Sequence, residues 1–183
     1  VLKEIRQAFL DEDKEKAAQL TRNNFNGLAA YEEKDETPFR FGSFTTMGEL
    51  YVETGLNELR MSNYRRILSL DSAMVVVQFD KDGVQYQRKY FISYPDSVMV
   101  MKFTANQSGK QNLILSYCPN SEAKSNLRAD GKDGLVYTGV LDNNGMKFAF
   151  RIKAIHKGGT LEAENDRLIV KGADEVVFLL TAD

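Results

Sequence analysis

Residues 64–104, YRRILSLDSAMVVVQFDKDGVQYQRKYFISYPDSVMVMKFT, decide the fold. Apolar and aromatic side chains recur at alternate positions through 64–70, 73–79, 84–92 and 98–104, the period of a strand that turns one face inward. The interruptions are turn chemistry: Asp71-Ser72, Asp82-Gly83 and Tyr94-Pro95-Asp96. Asp-Gly between two such runs predicts a tight hairpin, because its turn positions need residues that tolerate positive φ. The stretch reads as a four-stranded antiparallel meander. One face of a meander has to be covered by a second layer.

Towards the C-terminus the strand pattern resumes at 112–118, where Leu113, Leu115 and Tyr117 share a face. It returns at 135–140, 146–155, 160–163, 167–170 and 175–181, with turn residues such as Asp142-Asn143-Asn144-Gly145 and Lys157-Gly158-Gly159 between the runs. Residues 119–132 carry scarcely an apolar side chain and read as a long surface loop between two sheets. Towards the N-terminus, 48–53 is one more strand. About ten strands at short spacing without intervening helices predict a mainly β fold, a two-layer antiparallel β-sandwich.

Two short α-helices are expected before the sandwich. Leu2, Ile5 and Phe9, with Leu10, line one face of the first. Asp13 caps the second, whose apolar side is Ala17, Ala18, Leu20 and Phe25 and whose end is Asn26-Gly27. Residues 31–46, with Pro38 and the aperiodic Phe39, Phe41 and Phe44, read as an ordered connection. Residues 1–46 are thus a helical lead-in and 47–183 the sandwich, together one compact domain.

Composition narrows the function classes. Lys and Arg total 24 against 26 Asp and Glu in 183 residues, a net charge of −2. That balance advertises neither a nucleic-acid nor a membrane partner. The single Cys118 excludes an intrachain disulfide, and with the single His156 it cannot build a four-ligand zinc site, so neither metal nor cofactor is expected. No apolar run reaches membrane-spanning length, and the start of the chain has no secretory-signal pattern.

No catalytic residue emerges. Asp71, Asp82, Asp96, Asp142 and Asp166 all fall in turns, where the usual work of a carboxylate is bonding to backbone N–H groups. His156 ends a strand without a sequence-adjacent partner, and Cys118, on an alternating strand before Pro119, reads as a small, partly buried hydrophobe. Gly131-Lys132-Asp133-Gly134 is too short for a phosphate-cradling loop and reads as a turn. Tyr51, Phe79, Tyr86, Tyr90, Phe103, Phe148 and Phe178 fall on strand alternation and read as core, which leaves Tyr31, Tyr64, Tyr94 and Tyr117 as candidates for exposure. An autonomous carbohydrate-binding module is the alternative function, weakened by the lack of any Trp to serve as a stacking platform. Arg65, Arg66, Arg88 and Lys89 cluster on two strands, as planar donors do at an interface.

The order of segments resembles a known family. Gly48-Glu49-Leu50-Tyr51-Val52 followed by Tyr64-Arg65-Arg66-Ile67-Leu68-Ser69-Leu70-Asp71, then the Asp82-Gly83-Val84 hairpin, the Arg88-Lys89-Tyr90-Phe91 strand and the Ser93-Tyr94-Pro95-Asp96 exit, look like the N-terminal β-sandwich domain of glycoside hydrolase family 95, the α-L-fucosidase family. The tail agrees, with Gly158-Gly159, Val170-Lys171-Gly172-Ala173-Asp174 and Leu179-Leu180-Thr181-Ala182. The resemblance implies a super-sandwich that scaffolds an (α/α)6 catalytic barrel lying beyond Asp183 in the same polypeptide. It implies a bacterial, periplasmic or extracellular parent enzyme that hydrolyses terminal α-L-fucosyl or α-L-galactosyl linkages with inversion. The catalytic residues then lie in the barrel, and 119–132 is the loop available to reach its sugar pocket. A related two-domain phosphorylase stays open.

Overall fold

The computed structural model describes residues 1–25, 46–57, 59–119, 123–141, 145–164 and 166–183. The chain divides into two compact units, Val1–Gly42 and Ser43–Asp183.

In the first unit, α1 (Leu2–Leu10) and α2 (Lys14–Phe25) pack on each other. Asp13 caps α2 as the sequence predicts, its Oδ1 accepting the Lys16 N–H at 3.1 Å. The expected apolar stripe is narrower in the structure. Ile5, Ala8 and Ala17 are buried, whereas Leu2, Phe9, Leu10 and Phe25 are exposed. Small side chains at 8 and 17 suit a close helix–helix approach better than large ones. The predicted stop at Asn26-Gly27 and the connection over 31–46 lie outside the described residues, apart from Thr46.

The second unit is the predicted antiparallel sandwich. Its strands are β1 (Gly48–Glu53), β2 (Ser62–Ser69), β3 (Met74–Lys81), β4 (Val84–Ser93), β5 (Val98–Ala105), β6 (Gln111–Pro119), β7 (Ala123–Asp130), β8 (Gly134–Leu141), β9 (Lys147–Lys157), β10 (Thr160–Glu164), β11 (Arg167–Ala173) and β12 (Glu175–Ala182). The larger sheet runs β2-β3-β4-β5-β12-β9-β8-β7 and the smaller β1-β6-β11-β10. The meander and its hairpin are as predicted. Asp82 and Gly83 both have positive φ, +49° and +76°, between the paired Lys81 and Val84.

One stretch departs from expectation. Residues 123–130 form β7, paired residue for residue with β8 from Ala123↔Leu141 to Asp130↔Gly134, and not a loop. An edge strand has only one neighbour to satisfy and tolerates a polar sequence such as AKSNLRAD, so apolar periodicity does not announce it.

The main core lies between the sheets. Leu113, Leu115 and Tyr117 of β6, with Leu168 and Val170 of β11, meet Tyr137, Phe150, Ile152, Phe103 and Phe178 of the larger sheet. Tyr117 sits in an aromatic group, 4.4 Å from the Phe150 ring and 4.7 Å from Tyr137. Burial pushes its phenol pKa up, and the nearby Tyr137 adds to the rise. Its hydroxyl donates to the Met47 carbonyl, which ties the start of β1 to β6. Of the seven aromatics expected in the core, Phe79, Tyr86, Phe103, Phe148 and Phe178 are buried. Tyr51 is 49% exposed, because Leu50 and Val52 take the inward side of β1.

The smaller sheet is half the width of the larger. It approaches β5 and β7–β9, so the inner face of β2, β3 and β4 lies mostly beyond the smaller sheet's cover. Phe79, Val84 and Tyr86 gather there into a second cluster with Leu56, Met61 and Val77.

Candidate binding cleft on the uncovered sheet face

The mismatch in sheet width creates a cleft of about 830 Å3. Its floor is Val75, Val77 and Phe79, and its far wall is formed by Val52 at the end of β1 and Thr54, Leu56 and Met61 beyond it. Strand alternation brings Arg66 of β2, Val77 of β3, Arg88 of β4 and Phe103 of β5 into one cross-strand row. The neighbouring row holds Leu68, Val75, Tyr90 and Met101. Two guanidinium groups and a phenol thus come from adjacent places on one face.

Arg88 is fixed by aromatic stacking. Its Cζ lies 5.1 Å from the Phe79 ring centroid and 5.9 Å from that of Phe103. Such cation–π contacts stabilise by about 0.5–2 kcal/mol each, depending on desolvation. The Arg88 guanidinium is also close enough to the Tyr90 phenol to favour the phenolate. Burial outweighs it, together with the charges of Arg88 and Arg66, and the Tyr90 pKa is raised on balance. Tyr90 therefore stays protonated at neutral pH and keeps an O–H to donate.

The start of β2 beside Tyr64 is irregular. The β2–β3 register shifts between Ser62 and Arg65, and Asn63 takes φ +53° while its Nδ2 donates to Asp80 Oδ2 at 2.6 Å. Tyr64 lies on the same alternating face as Arg66 and Leu68, and its side chain lines the cleft. Tyr64 is 59% exposed.

Among the described residues the cleft lining contains no carboxylate and no side-chain amide. No ion pair involves Arg66 or Arg88 among the described residues. A water-sized crevice of about 10 Å3 shares Thr54, Leu56 and Arg88 with the cleft. It is lined by Gln111, buried, whose Nε2 finds no hydrogen-bond partner. The site is thus rich in donors and poor in acceptors.

The sequence-derived candidates are scattered elsewhere. Asp71, Asp82, Asp96 and Asp166 occupy separate turns; Asp96 accepts the Ser93 hydroxyl at 2.5 Å, while Asp82 and Asp166 lie near Lys81 and Arg167. Backbone N–H groups are held by other aspartates, Asp13 and Asp174, the latter accepting from Gly109 N at 2.8 Å. Asp142 lies outside the described residues, as does Tyr31. His156 is exposed, its Nδ1 donating to the Gly158 carbonyl at 2.8 Å. Cys118 is exposed and not partly buried, because Tyr117 takes the inward side at this end of β6. Tyr94 is 92% exposed, whereas Tyr117 is buried. The arginine cluster divides by alternation: Arg66 and Arg88 line the cleft, and Arg65 and Lys89 belong to rows of the opposite face. Among the described residues no three His, Cys, Asp or Glu side chains are placed to hold a metal, and no helix is long and apolar enough to cross a membrane.

Comparison with known proteins adds a family. Residues 1–183 match the family described as Glycosyl hydrolase family 65, N-terminal domain. A protein of Aspergillus niger named "Probable alpha-fucosidase A" is 28% identical over 159 residues, which cover 81% of this chain and 19% of that protein. "Alpha-L-fucosidase 2" of Arabidopsis thaliana is 23% identical over 163 residues, covering 76% of this chain and 19% of the relative. The chain thus spans about a fifth of the length of the curated relatives it matches. Among solved structures, a human-microbiome protein named as a kojibiose phosphorylase shares the fold, with a TM-score of 0.51 and 10% identity, over 74% of this chain and 22% of the other.

Proposed function

This chain belongs to the glycosyl hydrolase family 65 N-terminal domain family, and from that premise we propose that it is the non-catalytic sandwich of an α-L-fucosidase-like enzyme of the family 95 type. Its work is to scaffold an (α/α)6 barrel carried by the same polypeptide. The parent then hydrolyses terminal α-L-fucosyl or α-L-galactosyl linkages with inversion, in the periplasm or outside a bacterial cell.

The observation that carries this reading is the lining of the cleft. An inverting glycosidase needs two carboxyl groups about 6.5–9.5 Å apart, one to protonate the leaving oxygen and one to activate water. Among the described residues the cleft over the β2–β4 face holds none. Among the described residues Asp71, Asp82, Asp96 and Asp166 sit in separate turns, and none of them lines the cleft or the crevice beside it. Similarity to the two fucosidases over four-fifths and three-quarters of this chain supports the choice of parent. Because 123–130 form a strand, the segment proposed to reach the barrel's sugar pocket narrows to the residues of 119–132 on either side of β7.

Hydrolysis of a chromogenic α-L-fucoside tests the reading, assayed with the 183-residue chain and with a longer protein that continues beyond Asp183 into a barrel. Activity confined to the longer protein, with inverted anomeric product and no requirement for phosphate, is the expected result. Turnover by the 183 residues alone overturns it, and phosphate-dependent cleavage by the longer protein reassigns the parent to the phosphorylases.

A further inference from the structure

We propose that the cleft between β1 and the β2–β4 face binds an acidic carbohydrate, gripping a uronate carboxylate between Arg66 and Arg88 while the sugar ring lies against Tyr64 and the Val75–Val77 floor. This goes beyond the scaffold reading and does not depend on it.

The chemistry of the lining selects the ligand. Neutral sugars present hydroxyls that donate as well as accept, and sites for them supply acceptors for those protons. Here Arg66 and Arg88 can only donate, and among the described residues no Asp, Glu, Asn or Gln joins them in the cleft, whose other polar side chains are the hydroxyls of Thr54, Tyr64 and Tyr90. The Tyr90 O–H, kept protonated by burial, is a further donor. A carboxylate is the acceptor-only group that such a set fits, and guanidinium forks bind it bidentately.

Two features make the grip pre-formed. Arg88 is held over Phe79 and Phe103, so little side-chain freedom is lost when it binds. Its charge is half-buried with no counter-charge among the described residues, an arrangement that an incoming anion relieves. Arg66 stands two strands away, about 10 Å between Cα atoms from ordinary strand spacing, within reach of the same carboxylate or of its neighbour on the next sugar. The volume, about 830 Å3, lies within the usual range for a small-ligand site. The apolar floor and the exposed Tyr64 ring suit the C–H face of a sugar.

Calorimetric titration of the 183-residue chain with digalacturonate, its dimethyl ester and glutarate tests the assignment. Saturable binding of digalacturonate is expected, weakening as salt is added, with the ester and glutarate each about tenfold weaker or worse. Arg66→Gln, an exposed edge-strand change at a residue without an ion pair among the described residues, should weaken the acid about tenfold and leave the ester unchanged. Arg88→Lys, which keeps the charge but not the fork or the stacking, should also weaken it. No saturable binding of digalacturonate overturns the proposal, as does an ester that binds equally well. Glutarate binding as tightly as digalacturonate also overturns it, and would assign the cleft to any carboxylate, including an acidic protein segment.

Discussion

Replacing Phe103 by alanine should cost this protein much of its stability and loosen the cleft at the same time. Phe103 is 2% exposed, belongs to the main core and touches two residues that line the cleft. Its ring meets Phe178 edge-on at 5.8 Å in the main core and Tyr90 at 6.1 Å beside the cleft, and Arg88 lies over its face. Burial of an aromatic side chain takes about 150–250 Å2 out of water. At about 25 cal/mol per Å2 that is roughly 4–6 kcal/mol, of which the alanine methyl keeps a part. The expected loss is therefore about 3–5 kcal/mol, including the cavity left behind. In a unit of this size it lowers the melting temperature by roughly 6–20 °C. Phe103→Leu fills most of the space and forfeits the two edge contacts and the cation face, for about 1–3 kcal/mol. Urea unfolding followed by circular dichroism measures both changes, with an unchanged m-value as the check that the unfolded state is the same. A Phe103→Ala cost below about 1 kcal/mol, the level of an ordinary surface change, would refute the reasoning that this ring bridges core and cleft.

Other perturbations give separate tests. Gly139 has the Phe148 ring where a Cβ would stand, so Gly139→Ala should destabilise by about 1–3 kcal/mol in the same urea assay. Asp13→Ala should cost the α2 N-terminus about 1 kcal/mol, read as faster amide exchange in its first turn while the exchange of β12 is unchanged. Tyr117 has a raised pKa in the fold. Its contribution is fully present below the unfolded tyrosine value of about 10, and is lost as pH climbs beyond that value towards the folded one. Stability measured through that alkaline range should fall less steeply in Tyr117→Phe than in the unaltered chain. Glu175→Gln removes the partner of Lys102 at 2.7 Å, and because both side chains are over a third exposed the loss should stay below about 1 kcal/mol and shrink with added salt.

Local chemistry was enough to determine most of the architecture. Alternation in residues 64–104 and the Asp82-Gly83 pair specify the meander, because a period of two and two tolerated positive φ values leave a hairpin as the cheap solution. The inward row of Leu113, Leu115 and Tyr117 was legible for the same reason, and Asp13 announced its cap. Strand β7 was not legible, since an edge strand is specified by its neighbour's hydrogen bonds more than by its own apolar pattern. The cleft was hidden for a different reason. Arg66 and Arg88 lie 22 positions apart, and only the register through Val77 sets them in one row. That their face stays open depends on a four-stranded sheet lying over an eight-stranded one, and the width of a covering layer is a property of strand pairing at long range that no single segment encodes.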